Sequence, residues 1–93
     1  MDLDFTGKTA VVTGGSRGLG MGIVTALAER GAGVAVCGRK QENLDQAAQT
    51  FSEQGHDVMA MAANVGDSAQ METFFKAVGE RFGGLDILVN NVG

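Results

Sequence analysis

Thr13-Gly14-Gly15-Ser16-Arg17-Gly18-Leu19-Gly20 follows the apolar run Thr9-Ala10-Val11-Val12 and precedes Met21-Gly22-Ile23-Val24, where helical spacing begins. A buried strand is therefore expected to stop abruptly and pass into a helix within a few residues. Glycine suits such a junction because it permits positive φ and lets backbone lie close to a ligand. The helix that follows directs unpaired N–H groups and the positive end of its dipole at the same point, which makes an anion site. The guest this arrangement suits is a phosphate-bearing nucleotide.

Outward from that turn, the pattern alternates between two periods. The first strand spans about Thr9 to Thr13 and shows no apolar alternation, as expected for a strand covered on both faces. The first helix is expected from Gly18 to Arg30, with Leu19, Ile23, Ala26 and Leu27 on one face and Gly31 as its stop. Gly20 and Gly22 each lower helix propensity by roughly 1 kcal/mol relative to Ala, which points to a close approach by ligand or strand. Val34 to Cys37 reads as a second buried strand ended by Gly38. A second helix from Gln41 to Gln54 carries Leu44, Ala47, Ala48 and Phe51 on one face and ends at Gly55. His56 follows, as a residue of a surface turn.

Asp57 to Ala63 reads as the third strand, and Asn64-Val65-Gly66-Asp67 as a loop. Asp67 with Gln70 three residues on has the form of a capping box opening a third helix. Met71, Phe74, Phe75, Val78 and Phe82 form its apolar stripe, expected to be core, and Gly83-Gly84 stops it. Leu85 to Val89 is the fourth strand, with Asn90-Asn91-Val92-Gly93 after it. Such β-α alternation implies an α/β fold of Rossmann type, a parallel sheet with helices on both faces. Right-handed crossovers then favour the strand order 3-2-1-4, an incomplete doubly wound sheet whose switch point is the Gly-rich turn.

The totals exclude several classes. Ninety-three residues, 44% of them hydrophobic, suit at most one globular domain. A net charge of −4 argues against a nucleic-acid binder, which presents a basic face. Cys37 is the sole cysteine, so no internal disulfide forms and a reducing cytoplasm is expected. The acidic start is unlike a signal peptide, and no apolar run approaches the ~20 residues of a membrane span. No metal site is expected.

The end of the second strand selects among nucleotides. In dinucleotide-binding folds an Asp or Glu there binds the ribose 2′-OH, whereas an Arg nearby accommodates a 2′-phosphate. Here the stretch is Cys37-Gly38-Arg39-Lys40, without a carboxylate. Arg39 offers a planar fork to phosphate oxygens and Lys40 adds a point charge. Arg17 can converge on the same group. These cations in a net acidic chain favour NADP(H) over NAD(H).

The glycines at 14, 18 and 20 now carry a resemblance. Thr13 to Gly20 is similar to the T-G-x-x-x-G-x-G cofactor motif of the short-chain dehydrogenase/reductase family, and Asn90 to Gly93 resembles its N-N-A-G motif. The resemblance covers the whole chain. It implies that Gly14, Ser16, Arg17, Gly18, Leu19 and Gly20 wrap the pyrophosphate and adenosine ribose, with Arg39 and Lys40 at the 2′-phosphate. It implies that Asn64 and Val65, where the family usually has Asp-Val, meet the adenine. Asn91 and Gly93 would lie beside the nicotinamide-side ribose and steady the central strands. Val92 stands where the family has Ala, adding two methyl groups beside the cofactor.

The family's proton donor is a Tyr in a Tyr-x-x-x-Lys motif, helped by a Ser and an Asn. This chain contains no Tyr, and Ser16, Ser52 and Ser68 fall on the wrong elements to stand in for that Ser. No catalytic residue is therefore assigned. The expectation is the N-terminal, cofactor-binding part, residues 1–93, of an NADP(H)-dependent reductase, non-catalytic alone and acting on a carbonyl or alcohol only in a longer parent. The alternative is a stand-alone nucleotide-binding or assembly module. Ile87, Leu88 and Val89 would form an open apolar edge, and the third helix would stand alone on its face. Uncovered side chains at ~1.5–3 kcal/mol each are a large share of a total of about 5–15 kcal/mol. The chain is thus expected to be marginal as a monomer, and to self-associate or pair with a missing half.

Overall fold

The computed structural model describes residues 4–14 and 18–91, with Gly18 and Leu19 described as backbone only. Seven elements alternate along it: β1 (Thr9–Thr13), α1 (Gly18–Glu29), β2 (Gly33–Gly38), α2 (Gln41–Glu53), β3 (Val58–Ala62), α3 (Ser68–Phe82) and β4 (Ile87–Asn90). The strands form one parallel sheet in the order β3-β2-β1-β4, as the alternation predicts. β1 lies between β2 and β4, and all five of its residues are buried.

The absence of alternation in β1 and β2 has a direct cause. Val12, Val34 and Val36 face α1 and α2, where they pack with Val24, Ala28, Leu44, Ala47, Phe51 and Val58. Val11, Ala35 and Cys37 face the other way, against Phe74 and Val78 of α3. Both faces of the central strands are core, so Ala10–Val12 and Val34–Cys37 are apolar at every position. β4 differs: Ile87 and Val89 are half-buried while Leu88 is 57% exposed, because α3 does not extend over it.

Helix ends follow the glycines. At α1 the Gly31 and Ala32 N–H groups return to the Ala28 and Leu27 carbonyls, and Gly31 adopts φ +95°. At α2 Gly55 and His56 bond back to Ser52 and Phe51 in the same way. Both are Schellman stops, in which a left-handed residue lets two orphan carbonyls be satisfied. The His56 ring lies 6.2 Å from that of Phe51, the apolar contact that accompanies such a stop, so a packing role accounts for it.

Several boundaries move relative to the sequence reading. α1 ends at Glu29 and α2 at Glu53, one residue early in each case, because the next residue belongs to the turn. β2 gains Gly33 and Gly38, β3 loses Asp57 and Ala63, and β4 runs over 87–90 rather than 85–89. The last shift arises at Asp86, whose carboxylate accepts from the Thr9 N–H at 2.9 Å while its own N–H donates to the Thr9 carbonyl. Pairing with β1 therefore starts there.

The buried face of α1 is also different. It is made by Gly20, Val24 and Ala28, while Ile23 and Leu27 flank it half-buried and Ala26 is exposed. Small residues occupy the line of closest helix–sheet approach, and larger ones splay to its sides. This gives Gly20 its reason. Gly22 has none in the packing, since a Cβ there would meet nothing. On α3 only Phe74 and Val78 of the apolar stripe are fully buried; Met71 and Phe82 are half-buried and Phe75 is 37% exposed.

The predicted capping box forms only in part. Asp67 caps α3, accepting from the Ala69 and Gln70 N–H groups at 3.0 and 3.2 Å. Gln70 does not return to Asp67 N–H, which donates to the Asn64 carbonyl; the Gln70 Oε1 instead accepts from the Asn64 N–H at 2.9 Å. The tight Asn64–Asp67 turn has already satisfied the cap residue's N–H, which releases Gln70 for its neighbour.

Candidate functional site

Because all four strands are parallel, their C-terminal ends lie along one edge of the sheet. Gly14, Arg39, Asn64 and Asn91 each stand one or two residues past a strand at that edge. Backbone bonds tie the ends together: Gly14 N–H donates to the Cys37 carbonyl at 2.8 Å, and Ala63 N–H to the Gly38 carbonyl at 2.9 Å. An open parallel sheet binds its ligands in the crevice outside these ends, where the strand order reverses. Here that reversal falls at β1.

Gly14 is fitted to its place twice over. Its φ is +69°, in the left-handed region, and a Cβ added to it would collide with the backbone carbonyl oxygen of Asn91. The two ends of the chain's motifs, separated by 77 residues, are thus in contact at the switch point. Gly14→Ala is expected to lower stability by about 2–3 kcal/mol, from left-handed strain plus displacement of a second backbone. A urea titration with an unchanged midpoint would show that this contact is not made.

Thr13 organises the same corner. Its hydroxyl donates to the Asn90 Oδ1 at 3.0 Å and lies 3.4 Å from the Val89 carbonyl; having one proton, it serves the nearer acceptor. Its oxygen accepts from the Asn91 N–H at 3.1 Å, and the Asn91 Nδ2 reaches the Gly14 carbonyl at 3.5 Å. This network was not foreseen from the sequence, although Thr at the last position of an apolar strand was the available signal. It holds β4 to β1 just where regular pairing ends.

Arg39 and Lys40 are exposed beyond β2, and neither side chain makes a hydrogen bond or ion pair with another described residue. Lys40 is the N-cap of α2, with extended backbone and no side-chain cap. Neither Gly14–Gly20 nor Cys37–Lys40 contains an Asp or Glu. Asn64 closes an Asx turn, its Oδ1 accepting from the Gly66 N–H at 2.9 Å, and Val65 beside it is 43% exposed. Gly20 is buried under the start of α1. Ser16, Arg17 and Gly93, as well as Val92, lie outside the described residues, as do the side-chain surroundings of Gly18 and Leu19.

Cys37 lies beneath this edge, fully buried on the α3 side. Burial pushes its thiol above the ordinary value, partly opposed by a backbone hydrogen bond from Gly14. The unfolded chain then ionises first, so stability is whole below the ordinary thiol range of about 8.5 and declines as pH rises beyond it. Cys37→Ala is expected to remove that alkaline slope, and the native thiol should resist iodoacetamide at pH 8 until urea unfolds the chain. Ready alkylation of the native protein would contradict the burial.

A cleft of about 250 Å³ lies between the end of β3 and the start of α3, lined by Met61, Ala62, Asp67, Ala69, Gln70 and Thr73, beside Asn64 but without Gly14, Arg39 or Asn91. Among the described residues no three His, Cys, Asp or Glu side chains are grouped to hold a metal ion. No helix among them is long and apolar enough to cross a membrane.

The family model described as short chain dehydrogenase matches residues 8–93. A 3alpha-hydroxysteroid dehydrogenase of Mediterraneibacter gnavus is 41% identical over 88 residues, covering 92% of this chain and 35% of that protein. The L-sorbose reductase of Gluconobacter frateurii, solved with NADPH and L-sorbose, superposes with a TM-score of 0.94 at 37% identity, over 100% of this chain and 36% of the other. An NADPH-bound short chain oxidoreductase of Pseudomonas aeruginosa with an atypical catalytic center gives 0.94 at 39%, over 98% and 36%. The chain thus spans about a third of the length of the relatives it matches.

Proposed function

This chain belongs to the short-chain dehydrogenase family, and we propose that its strand-end edge cradles NADP(H) for hydride exchange between a carbonyl and an alcohol. The observation that carries the reading is the end of β2, where Arg39 and Lys40 stand exposed and the stretch Cys37–Lys40 holds no carboxylate. The donor set also fits the group, because two exposed cations past β2 suit a phosphate. NADPH in the solved sorbose reductase and Pseudomonas oxidoreductase supports the same choice.

Each residue takes a separate part. Gly14, whose own N–H is taken by the Cys37 carbonyl, turns the chain toward the pyrophosphate, and Ser16, Gly18, Leu19 and Gly20 would present backbone N–H groups and the α1 dipole to it. Arg39 grips the 2′-phosphate through its fork, with Lys40 and Arg17 adding charge. Asn64 and Val65 border the adenine, while Asn91 and Gly93 border the nicotinamide-side ribose. The Thr13 and Asn91 bonds keep β4 against β1, so that these two ends of the cradle hold a constant separation.

When bound, the nicotinamide supplies or accepts the hydride, and a proton must reach or leave the substrate oxygen. These 93 residues contain no Tyr to handle that proton, so the chain alone is assigned to binding and not to turnover. The remaining protein of the parent, or a partner, completes the reaction. The exposed Leu88 and the outward N–H and C=O groups of β4 are the surface through which the chain pairs with that remainder or with itself. Its unpaired buried thiol suits a reducing compartment such as the cytoplasm.

Titration of the protein with NADPH and NADH, followed by nicotinamide emission, tests the reading. NADPH is expected to bind at least about tenfold tighter, the equivalent of roughly one charge-assisted hydrogen bond. Equal affinities, or no binding of either, would overturn the choice of cofactor. Carbonyl reduction by the 93 residues alone is expected to stay at background.

A further inference from the structure

We infer that the outer edge of β3 is a second surface for strand pairing between copies of this chain, and that Gln41 holds it closed. It rests on the reading of β4 as a pairing surface, since β4 of another copy is the strand this edge would take. β3 is the last strand in the order β3-β2-β1-β4, so one of its sides meets no strand. Successive residues of a strand turn their N–H and C=O groups to opposite sides. Ala63 N–H donates to the Gly38 carbonyl, and the Asp57 carbonyl accepts from Val34 N–H, so the odd-numbered residues of 57–63 face β2. Val58, Ala60 and Ala62 therefore face outward. The strand Val58-Met59-Ala60-Met61-Ala62 has neither the charge nor the proline that commonly blunts an edge.

A side chain stands in for the missing strand. Gln41, the first residue of α2, accepts from the outward Ala62 N–H through Oε1 at 3.0 Å, and its Nε2 donates to Asp45 Oδ1 at 2.7 Å. The backbone donor requires the amide oxygen at Ala62, and Asp45 takes the amide nitrogen, so the group is held from both sides. At the start of the strand Asp57 pairs with Arg81, which places two exposed charges beside Val58. Among the described residues, the outward groups left open are those of Val58 and Ala60 and the Ala62 carbonyl. That stretch is shorter than the roughly five to six residues of a common strand. A strand that suits this edge is apolar and uncharged. Ile87-Leu88-Val89-Asn90 of a second copy meets both conditions, with Leu88 57% exposed at the far end of the sheet. Joining β4 of one copy to β3 of the next repeats without closing, whereas pairing of β4 with β4 stops at two chains. By occupying Ala62 N–H, Gln41 keeps association finite.

Sedimentation velocity of the 93-residue chain over a range of concentrations tests this. The wild type is expected to level off at no more than two chains, while Gln41→Ala passes two and keeps growing with concentration. Gln41→Glu retains an acceptor for Ala62 N–H and is expected to follow the wild type. Ala60→Pro removes an outward N–H that β2 does not use, so the sheet tolerates it, and added to Gln41→Ala it is expected to restore the wild-type limit. Leu88→Asp, which charges the β4 edge, is expected to disperse the Gln41→Ala assemblies. Equal association of Gln41→Ala and wild type overturns closure by Gln41 even where both pair through β4, and assemblies that survive Ala60→Pro overturn the β3 edge as their surface. Assemblies that survive Leu88→Asp overturn the reading of β4, and the choice of partner strand with it.

Discussion

Arg39→Asp is expected to weaken NADPH binding by about a hundredfold while leaving NADH binding within about threefold of the wild type. A guanidinium on a phosphate makes paired charge-assisted bonds worth about 1.5–3 kcal/mol each, and each 1.4 kcal/mol is a factor of ten. Reversal of the charge adds repulsion to that loss. Arg39 is exposed, so part of its attraction is screened by salt, and the NADPH effect should shrink as ionic strength rises. Lys40 remains in the variant, which limits the loss to about that size. The selectivity ratio carries the meaning. A parallel loss for both cofactors would mean that Arg39 supports the loop, and no loss would mean that the 2′-phosphate lies elsewhere.

The largest stability effect is expected from Phe74→Ala, at about 3–5 kcal/mol. Phe74 is fully buried and is the largest such side chain among the described residues, at the centre of the cluster of Val11, Ala35, Cys37, Ala63 and Val78 through which α3 packs on the sheet, with Met59, Met61, Met71 and Phe82 at its margin. Its removal empties the centre of that cluster. The loss is a large part of the roughly 5–15 kcal/mol that a domain possesses. Phe75, next in sequence and 37% exposed, is expected to cost under about 1 kcal/mol when changed to Ala. Urea midpoints for the pair check this. Equal losses would place α3 in a different rotation about its axis.

The contrast between neighbouring Phe residues shows what a pattern conveys. Met71, Phe74, Phe75, Val78 and Phe82 identify a helix and its general inner side. Which of them touches the sheet depends on where the helix axis settles, and that is a result of packing. α1 makes the point more sharply. Leu19, Ile23, Ala26 and Leu27 are its most evident apolar stripe, yet Gly20, Val24 and Ala28 form the contact line. Hydrophobic period reports affinity for the interior, whereas close approach is set by small size.

Capping behaves in the same way. Asp67 reads as a cap from its position alone, because the bonds it makes lie within three residues. The partner of Gln70 could not be read, since it depends on the Asn64–Asp67 turn having used the cap's N–H. Gly33 was silent in the sequence; a Cβ there would fall 2.6 Å from the Phe82 ring, a contact between residues 49 apart.

The sequence by itself determined the alternation of strands and helices, the parallel sheet in its order, and the family through Thr13–Gly20 and Asn90–Gly93. Those features are local or periodic, and right-handed crossovers leave few ways to assemble them. The tertiary structure decided what joins the two motifs. Thr13 reaching Asn90 and Asn91, Gly14 lying under the Asn91 carbonyl, and Asp86 holding Thr9 are contacts across 77 or 78 residues. No spacing along a chain encodes such contacts; they exist because β4 docks beside β1 and brings two separate turns to one point.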